Sequence, residues 1–179
     1  KSGFLTPSLN LNFFDTQISQ TTSLPYYLNL SEDKELTITP SLNYGGGVDS
    51  SQRFNFDYNQ LLSGGYLKSD LTIDTTIENE NNNKWIQDGS FINSYYKKIN
   101  KNYNISIESA LQTSKNYNQK INPNDQLSYS SSLKSSISLN GYNINQIDDR
   151  FKLNLSTYQS NQNNENNKIL PTILPYTTY

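Results

Sequence analysis

The fold is decided by the stretch Glu35-Leu36-Thr37-Ile38-Thr39-Pro40-Ser41-Leu42-Asn43-Tyr44, in which apolar and polar residues alternate. One parity carries Leu36, Ile38, Pro40, Leu42 and Tyr44, and the other carries Thr37, Thr39, Ser41 and Asn43. Successive side chains of a β-strand point to opposite faces of its sheet. The stretch therefore predicts a strand with one apolar and one polar face.

The same alternation recurs on both sides of this stretch. Phe54, Phe56 and Tyr58 alternate with polar residues, and a sustained helical stripe occurs nowhere. The abundance of Asn, Ser, Thr and Tyr also disfavours helix. We predict about ten antiparallel strands joined as a meander, near residues 8–15, 17–30, 35–45, 51–60, 65–78, 84–98, 103–113, 126–141, 148–159 and 169–178.

The length of these strands indicates a membrane protein. Strands of globular proteins usually have about five or six residues, whereas a strand that crosses a bilayer needs roughly nine to eleven. Long strands with one apolar face, joined by hairpins, are typical of outer-membrane barrels, where that face meets lipid and the polar face meets the lumen. The predicted fold class is therefore all-β, an antiparallel meander of the transmembrane β-barrel type.

Composition excludes several functional classes. The 179 residues include no Cys and no His, so disulfides, thiolate nucleophiles and imidazole ligands are excluded. The net charge of -2, without a basic block, makes a nucleic-acid partner unexpected. We therefore expect that the protein is not an enzyme and that it binds neither a cofactor nor a metal.

Four polar residues on the alternating strands attract attention as a possible carboxylate site. They are Asn55, Asp57, Asp70 and Asp74. Paired carboxylates hydrolyse glycosides in some enzymes, but these residues fall on the polar parity of their strands. We interpret them as lumen-facing residues of a barrel wall.

The connections between strands predict an orientation. The fifth, seventh and ninth are long and rich in Asn, whereas the fourth is the compact Leu62-Ser63-Gly64-Gly65. Bacterial barrels have short periplasmic turns and longer outer loops. The odd-numbered connections are therefore expected outside, and the N-terminus on the periplasmic side.

Aromatic residues near strand ends are candidates for the girdles that barrels place at both membrane interfaces. The alternative is that they simply fill β positions. The candidates are Tyr26, Tyr27, Tyr44, Tyr66, Trp85, Tyr95, Tyr96, Tyr103, Tyr142, Tyr158 and Tyr176.

Three ordered blocks carry a family resemblance. They are Lys1-Ser2-Gly3-Phe4-Leu5-Thr6-Pro7-Ser8, Ser23-Leu24-Pro25-Tyr26-Tyr27-Leu28-Asn29-Leu30 and Asp33-Lys34-Glu35-Leu36-Thr37-Ile38-Thr39-Pro40. They resemble the first three barrel strands of the LptD lipopolysaccharide-assembly family, although Leu28 stands where that family usually has Trp. The clear resemblance covers about residues 1–75, and the block Ile169–Pro175 is similar to a later family strand with two prolines.

The resemblance implies a function in lipopolysaccharide transport at the bacterial outer membrane. Barrels of this family receive lipopolysaccharide from a periplasmic bridge component (LptA-like), enclose a lipoprotein plug (LptE-like) and release the lipid laterally into the membrane. The implied lateral gate includes Pro7, Leu9, Leu11 and Pro25. The alternative is that Pro7 starts a strand and Pro25 marks a bulge, since Pro donates no backbone hydrogen bond.

The family barrel has more than ten strands and is joined to a periplasmic domain, which residues 1–179 are not expected to include. We therefore expect residues 1–179 to be the N-terminal part of a barrel domain, an open curved segment rather than a small closed barrel. Whether the chain is a natural truncation or an excised fragment stays open. Two other functions also stay open: a generic outer-membrane pore or adhesin, and a secreted soluble β-sheet protein that binds glycans through surface tyrosines.

Overall fold

The computed structural model describes residues 1–14, 17–45, 50–78, 84–115, 117–121, 126–143, 149–161 and 172–178. These residues form twelve strands, one short helix and one 3-10 turn. The strands are β1 (Gly3–Phe4), β2 (Ser8–Phe14), β3 (Gln17–Ser23), β4 (Tyr26–Ser31), β5 (Lys34–Gly45), β6 (Ser51–Leu62), β7 (Gly65–Glu78), β8 (Lys84–Lys98), β9 (Tyr103–Gln112), β10 (Ser132–Tyr142), β11 (Arg150–Ser160) and β12 (Ile173–Thr178). The helix α1 spans Tyr117–Ile121, and the 3-10 turn spans Gln126–Tyr129.

The sheet confirms the predicted fold class. Its strands follow the order β1-β4-β5-β6-β7-β8-β9-β10-β11-β12, and β3 pairs with both β2 and β5. Every pairing whose register is defined is antiparallel. Within the residues that the structure describes, this order is a meander with β1 and β12 at its two ends.

The sheet differs from the prediction in three places. The strand predicted at 17–30 is divided into β3 and β4 next to Pro25, and β1 is a short strand before Pro7 that the prediction of 8–15 does not include. The strand predicted at 126–141 begins only at Ser132, because residues 126–129 form the 3-10 turn. The strand predicted at 169–178 begins at Ile173, and residues 162–171 lie outside the described part.

The tight turn between β6 and β7 depends on two glycines. Gly64 has a φ of 78°, a left-handed conformation that L-residues with a side chain adopt rarely. At Gly65, a Cβ atom would lie 2.0 Å from the carbonyl oxygen of Tyr96. The backbones of β7 and β8 therefore approach each other at a distance that only glycine permits at this position.

The chain divides into two compact units. Unit 1 contains residues 1–58 and 70–89, and unit 2 contains residues 59–69 and 90–179. Strands β6, β7 and β8 contribute residues to both. Unit 1 holds β1 to β5, and unit 2 holds β9 to β12.

The interior of unit 2 includes a buried polar network that joins the end of β9, the 3-10 turn and the residue that follows β11. Gln112 Nε2 donates to Asn161 Oδ1 at 2.9 Å, and Asn161 Nδ2 donates to the carbonyl oxygens of Leu127 and Ser130. Asn161 is fully buried. Buried polar groups are costly unless they are hydrogen-bonded, so these bonds fix the segment that follows β9 against β11.

The usual distribution of polar and apolar side chains is inverted. Among the described residues, the buried hydrophobic side chains are Ala110, Tyr117 and Leu133, whereas Ser, Thr, Asn, Gln and Asp side chains are buried on several strands. Many large apolar side chains are exposed, including Leu42, Phe54, Leu111 and Leu155. A soluble sheet buries its apolar face and exposes its polar face. This sheet does the opposite: polar side chains are buried and large apolar side chains are exposed.

The described residues include no helix that is both long and apolar enough to cross a membrane.

Candidate functional site: the polar face and the first hairpin

The polar face of unit 1 contains an ion pair between neighbouring strands. Arg53 on β6 donates from Nε and Nη2 to Asp74 Oδ2 on β7, at 3.0 Å and 2.9 Å. The Asp74 side chain is 8% exposed and that of Arg53 is 21% exposed. Both donors reach the same carboxylate oxygen, and Asp74 Oδ1 is buried without a hydrogen-bond partner. The pair is therefore desolvated but only partly satisfied.

Three further residues extend this face away from the ion pair. Thr72 donates from Oγ1 to Asn55 Oδ1 at 2.7 Å, and Asn55 Nδ2 donates to Asp70 Oδ2 at 3.4 Å. Thr72 is buried. The alternation of β6 and β7 thus brings Asn55, Asp70 and Asp74 to one face, while Asp57 is exposed on the same strand as Asn55.

Arg53 and Thr72 are members of this cluster that the sequence-based selection omits. The predicted residues are three carboxylates and one amide, whereas Arg53 and Thr72 are side chains that donate hydrogen bonds to two of them. Arg53 lies two residues before Asn55, and Thr72 lies between Asp70 and Asp74 in the same alternation. Extending the parity rule to every polar residue of the two strands would have found both.

Apolar side chains occupy the opposite face of the same strands. Leu71 is 39% exposed and Ile73 is 41% exposed, whereas Thr72 is 5% and Asp74 is 6% exposed. These four residues are consecutive. The polar side chains turn inward and the apolar ones outward, residue by residue.

The polar face continues across β3 and β5 as a chain of neutral hydrogen bonds. Thr21 Oγ1 donates to Asn43 Oδ1 at 2.7 Å, and Asn43 Nδ2 donates to Ser51 Oγ at 2.8 Å. The hydroxyls of Ser23 and Ser41 lie 2.8 Å apart. Such a surface offers neutral hydrogen-bond donors and acceptors, namely hydroxyls and amides. Among the described residues, no group of three or more acidic side chains has the arrangement of a metal site.

The first hairpin consists of β1 and β2 on one side and β3 and β4 on the other, and it is irregular at Pro7 and Pro25. β1 pairs Phe4 with Tyr26, and β2 pairs Ser8 with Ser23. Three residues, Leu5-Thr6-Pro7, therefore face only two, Leu24-Pro25, which is the arrangement of a β-bulge. Leu5 N donates to Pro25 O, but neither proline has an N–H to return. The pairing of the first strand is thus interrupted at the position where the resemblance puts the gate.

Leu9 and Leu11 lie on the apolar face of this hairpin. Leu9 pairs with Thr22, which pairs with Leu42, and Leu11 pairs with Gln20, which pairs with Tyr44. Leu9, Leu11, Leu42 and Tyr44 are all exposed. Asn10 instead pairs with Thr21, whose hydroxyl bonds Asn43 on the polar face. The two implied gate leucines therefore face away from the polar groups.

Two of the implied interface aromatics, Trp85 and Tyr176, have side chains that lie outside the part the structure describes. Phe4 and Tyr26 form an edge-to-face pair with ring centroids 4.9 Å apart. Tyr27 OH donates to Glu35 Oε2 at 2.9 Å across the β4–β5 hairpin. Aromatic side chains thus gather around the paired strands β1 and β4.

These features define a class of protein: an antiparallel meander of long strands with an inward polar face and an outward apolar face, as transmembrane β-barrels have. Part of the chain is similar to a particular protein. It is 34% identical over 73 residues to the "LPS-assembly protein LptD" of Burkholderia thailandensis. The LptD proteins of two strains of Burkholderia pseudomallei match with the same identity over the same length.

The similar part is 39% of this chain and 9% of each relative. The chain thus matches a small part of these curated proteins. No family model matches the chain, and no solved structure matches it.

Proposed function

We propose that residues 1–179 are part of the membrane barrel of a lipopolysaccharide-assembly protein of the bacterial outer membrane. In this proposal the polar face lines the lumen through which lipopolysaccharide passes, and the first hairpin borders the lateral exit. The chain acts as a conduit and not as an enzyme. A lipoprotein plug and a periplasmic bridge component are its expected protein partners.

The observation that carries this proposal is the inverted burial of unit 1. Leu71 and Ile73 are exposed between the buried Thr72 and Asp74. Exposed apolar side chains in this number are unfavourable in water, at about 25 cal/mol for each Å² of apolar surface. In a bilayer the same side chains contact hydrocarbon, and the buried polar side chains are kept away from it.

The similarity to LptD favours a lipopolysaccharide-assembly protein over other membrane proteins with an inward polar face and an outward apolar face. A generic pore or adhesin accounts for the inverted faces equally well, but it gives no reason for the relatives that the chain matches. The prolines support the same choice. Their bulge lies in the first hairpin, where pairing must open if a lipid is to leave sideways.

The odd-numbered connections are proposed to face outside and the N-terminus to face the periplasm. The turns β4–β5 and β6–β7 are tight: each joins strands separated by two residues. Short periplasmic turns are the rule in bacterial barrels.

The proposal is tested by photo-crosslinking in the intact protein during transport. A photo-reactive amino acid is placed at Asn10 on the polar face, at Leu9 and Leu11 on the apolar face of the first hairpin, and at Leu155 on β11 as a matched apolar control. We expect lipopolysaccharide adducts at Asn10, Leu9 and Leu11, and few at Leu155.

Two results contradict the proposal. Equal adducts at all three leucines with none at Asn10 indicate that the side chains contact only bulk membrane lipid. Recovery of the protein from water as a monomer without detergent favours the soluble glycan-binding alternative.

A further inference from the structure

The polar face of unit 2 carries a patch of two tyrosines and two lysines beside the tight turn between β6 and β7. The members are Tyr66, Lys68, Tyr96 and Lys98, and we call them the Tyr–Lys patch. The ring centroids of Tyr66 and Tyr96 are 5.9 Å apart, with an interplanar angle of 28°. Lys68 Nζ lies 5.9 Å from the centroid of the Tyr66 ring.

The four side chains share one face. Tyr66 and Lys68 are two residues apart on β7, and Tyr96 and Lys98 are two apart on β8. Side chains two apart on a strand lie on the same side, and the stacked rings join the two strands. Leu67, between Tyr66 and Lys68, points to the opposite face. The two tyrosines therefore do not lie on the apolar face that a membrane girdle would occupy.

The backbone beneath the patch is held closely. Lys98 N donates to Gly64 O at 2.8 Å, and Gly65 fits against the carbonyl of Tyr96 with no room for a Cβ atom. Lys98 Cβ lies 3.5 Å from where a Cβ of Gly64 would be. These contacts fix the backbone of Tyr96 and Lys98 against the turn between β6 and β7.

The patch is electropositive. Lys101 follows in the adjoining turn, and Lys68, Lys98 and Lys101 are all exposed. No Asp or Glu occurs in residues 59–69 or 90–107. Lysine binds phosphate as a compact charge, and tyrosine offers an apolar ring with a hydroxyl at its edge. Such a combination suits a ligand that is both a sugar and a phosphate.

We propose that the Tyr–Lys patch binds a phosphorylated saccharide, with Lys68 and Lys98 on the phosphate and Tyr66 and Tyr96 against the sugar. This inference rests on the proposed function in one respect. It assigns the patch to the phosphorylated sugars of lipopolysaccharide, which would enter the lumen at the end of the strands where the tight turn between β6 and β7 lies. The binding chemistry itself is tested without transport.

The first experiment measures binding of small ligands to the intact protein in non-ionic detergent by saturation-transfer NMR. The probes are glucose 1-phosphate, glucose and inorganic phosphate. We expect glucose 1-phosphate to bind most tightly. Lys68→Gln with Lys98→Gln should weaken it about tenfold or more, because each change removes a charge-assisted hydrogen bond to the phosphate.

Three further variants separate the roles. Lys68→Arg with Lys98→Arg should retain most of the affinity for glucose 1-phosphate. Tyr66→Leu with Tyr96→Leu should keep the binding of inorganic phosphate and lose the preference for the sugar phosphate. Lys134→Gln with Lys152→Gln removes the same charge from exposed positions on β10 and β11 and should change nothing. Heat-modifiable migration on gels reports that each variant is folded.

Three outcomes overturn the proposal. They are unchanged affinity in the Gln double variant, an equal loss in the Lys134 and Lys152 control, and equal affinity of the wild-type protein for inorganic phosphate and glucose 1-phosphate. The last outcome indicates an adventitious anion only.

The second experiment places p-benzoylphenylalanine at Tyr96 and supplies lipopolysaccharide before or after phosphatase treatment. We expect adducts to fall several-fold after treatment. If adducts are absent both at Tyr96 and at Asn10, the proposed transport function fails, and the NMR result still decides the chemistry of the patch. If adducts form at Asn10 and are insensitive to phosphatase at Tyr96, the patch proposal fails alone.

Discussion

At the scale of single residues, Leu71 and Asp74 show how this chain differs from a soluble sheet. They lie three residues apart on β7, yet the carboxylate is buried and the leucine is exposed. An ionised carboxylate is costly to bury unless it is paired. Arg53 supplies that pairing through two hydrogen bonds. The buried polar side chains of unit 1 therefore need specific hydrogen-bond partners. Its exposed apolar side chains need only to occupy alternate positions along the strand.

Asp74→Asn or Arg53→Met should destabilise the protein by about 2–3 kcal/mol. Breaking a fully buried ion pair costs roughly 3–5 kcal/mol, and the exposure of Arg53 reduces that value. Asp57→Asn, at the exposed acid of β6, should cost about 1 kcal/mol or less. Urea unfolding of the intact protein refolded in detergent measures all three. If Asp57→Asn lowers the free energy of unfolding as much as Asp74→Asn does, the ion pair does not stabilise the fold more than an exposed acid does.

Asp33, in the turn between β4 and β5, has a pKa below its usual range, chiefly because Ser31 Oγ donates to Asp33 Oδ1. A lowered folded-state pKa stabilises the fold above the unfolded-state pKa, and this contribution is lost as the pH falls through the folded-state value. Ser31→Ala should raise the pKa of Asp33. NMR titration of the Asp33 carboxyl carbon measures the change, and Ser63→Ala in the next tight turn is the control. An unchanged pKa would exclude the hydroxyl as the cause.

The face on which each side chain lies could be predicted from the sequence, but its hydrogen-bond partners on the neighbouring strand could not. The alternation places Asn55, Asp70 and Asp74 on one face. It does not say that Arg53 reaches Asp74 or that Thr72 bonds Asn55, because cross-strand partners depend on register. Register is set by turn geometry and bulges, and a parity rule does not contain those distances.

At the scale of elements, the first hairpin differs from the β10–β11 hairpin in the continuity of its pairing. β10 and β11 pair without interruption from Ser132 and Ser160 to Tyr142 and Arg150. The first hairpin loses one residue of register between Phe4 and Ser8. Pro7 and Pro25 remove two backbone donors at that point. A strand pair with fewer donors and a shifted register is easier to separate than a continuous one.

Pro7→Ala with Pro25→Ala should reduce lipid release at the first hairpin. Each alanine supplies an N–H, and a backbone hydrogen bond contributes about 0.5–1.5 kcal/mol, which corresponds to roughly twofold to tenfold per bond. Lipopolysaccharide adducts at Leu9 measure the effect. Pro40→Ala on β5 is the control, because the carbonyl of Pro40 accepts from Leu24 N whichever residue is present. Equal effects of both changes would indicate altered folding and not an altered seam.

Gly65→Ala should prevent normal pairing of β7 with β8. The added Cβ would lie 2.0 Å from the carbonyl oxygen of Tyr96, a backbone atom that cannot move without disturbing the strand. Overpacking costs about 1–3 kcal/mol or more. Gly3→Ala is the matched control, since nothing lies within 4 Å of a Cβ there. Heat-modifiable migration should be lost or weakened only in the Gly65 variant, and a normal Gly65→Ala protein would contradict the close approach.

The strands themselves were largely predictable from period two. The bounds predicted for β7 and β8 match the structure, and those for β6 and β9 differ by one or two residues. The predicted strand start at 126 was wrong because Gln126–Tyr129 forms a 3-10 turn instead. That turn is held by long-range bonds from Asn161, which no local pattern reveals.

At the scale of the whole chain, both units bury polar side chains and expose apolar ones. Unit 1 buries Thr72 and exposes Leu42, and unit 2 buries Asn154 and exposes Leu155. The hydrophobic fraction of 33% is low for a protein that must form an apolar core. It is sufficient for a sheet that shows one apolar face to lipid.

A labelling scan across residues 70–74 tests this inversion directly. Single cysteines are introduced into the intact protein with any other cysteines replaced, and each is spin-labelled in a bilayer. Labels at Leu71 and Ile73 should contact oxygen dissolved in the lipid, and labels at Thr72 and Asp74 should not. Uniform accessibility along the strand would contradict a membrane-facing sheet.

The irregular first hairpin has one more consequence, which concerns aggregation. An edge strand presents unpaired backbone groups, and a long regular edge is a template on which a second chain can add. Here the described edge is β1 with two residues, a bulge with Pro7, and then β2. Prolines, bulges and short edge strands are the devices that block such growth. The same interruption that loosens the hairpin thus makes this edge a poor template for another copy while the protein is still unassembled.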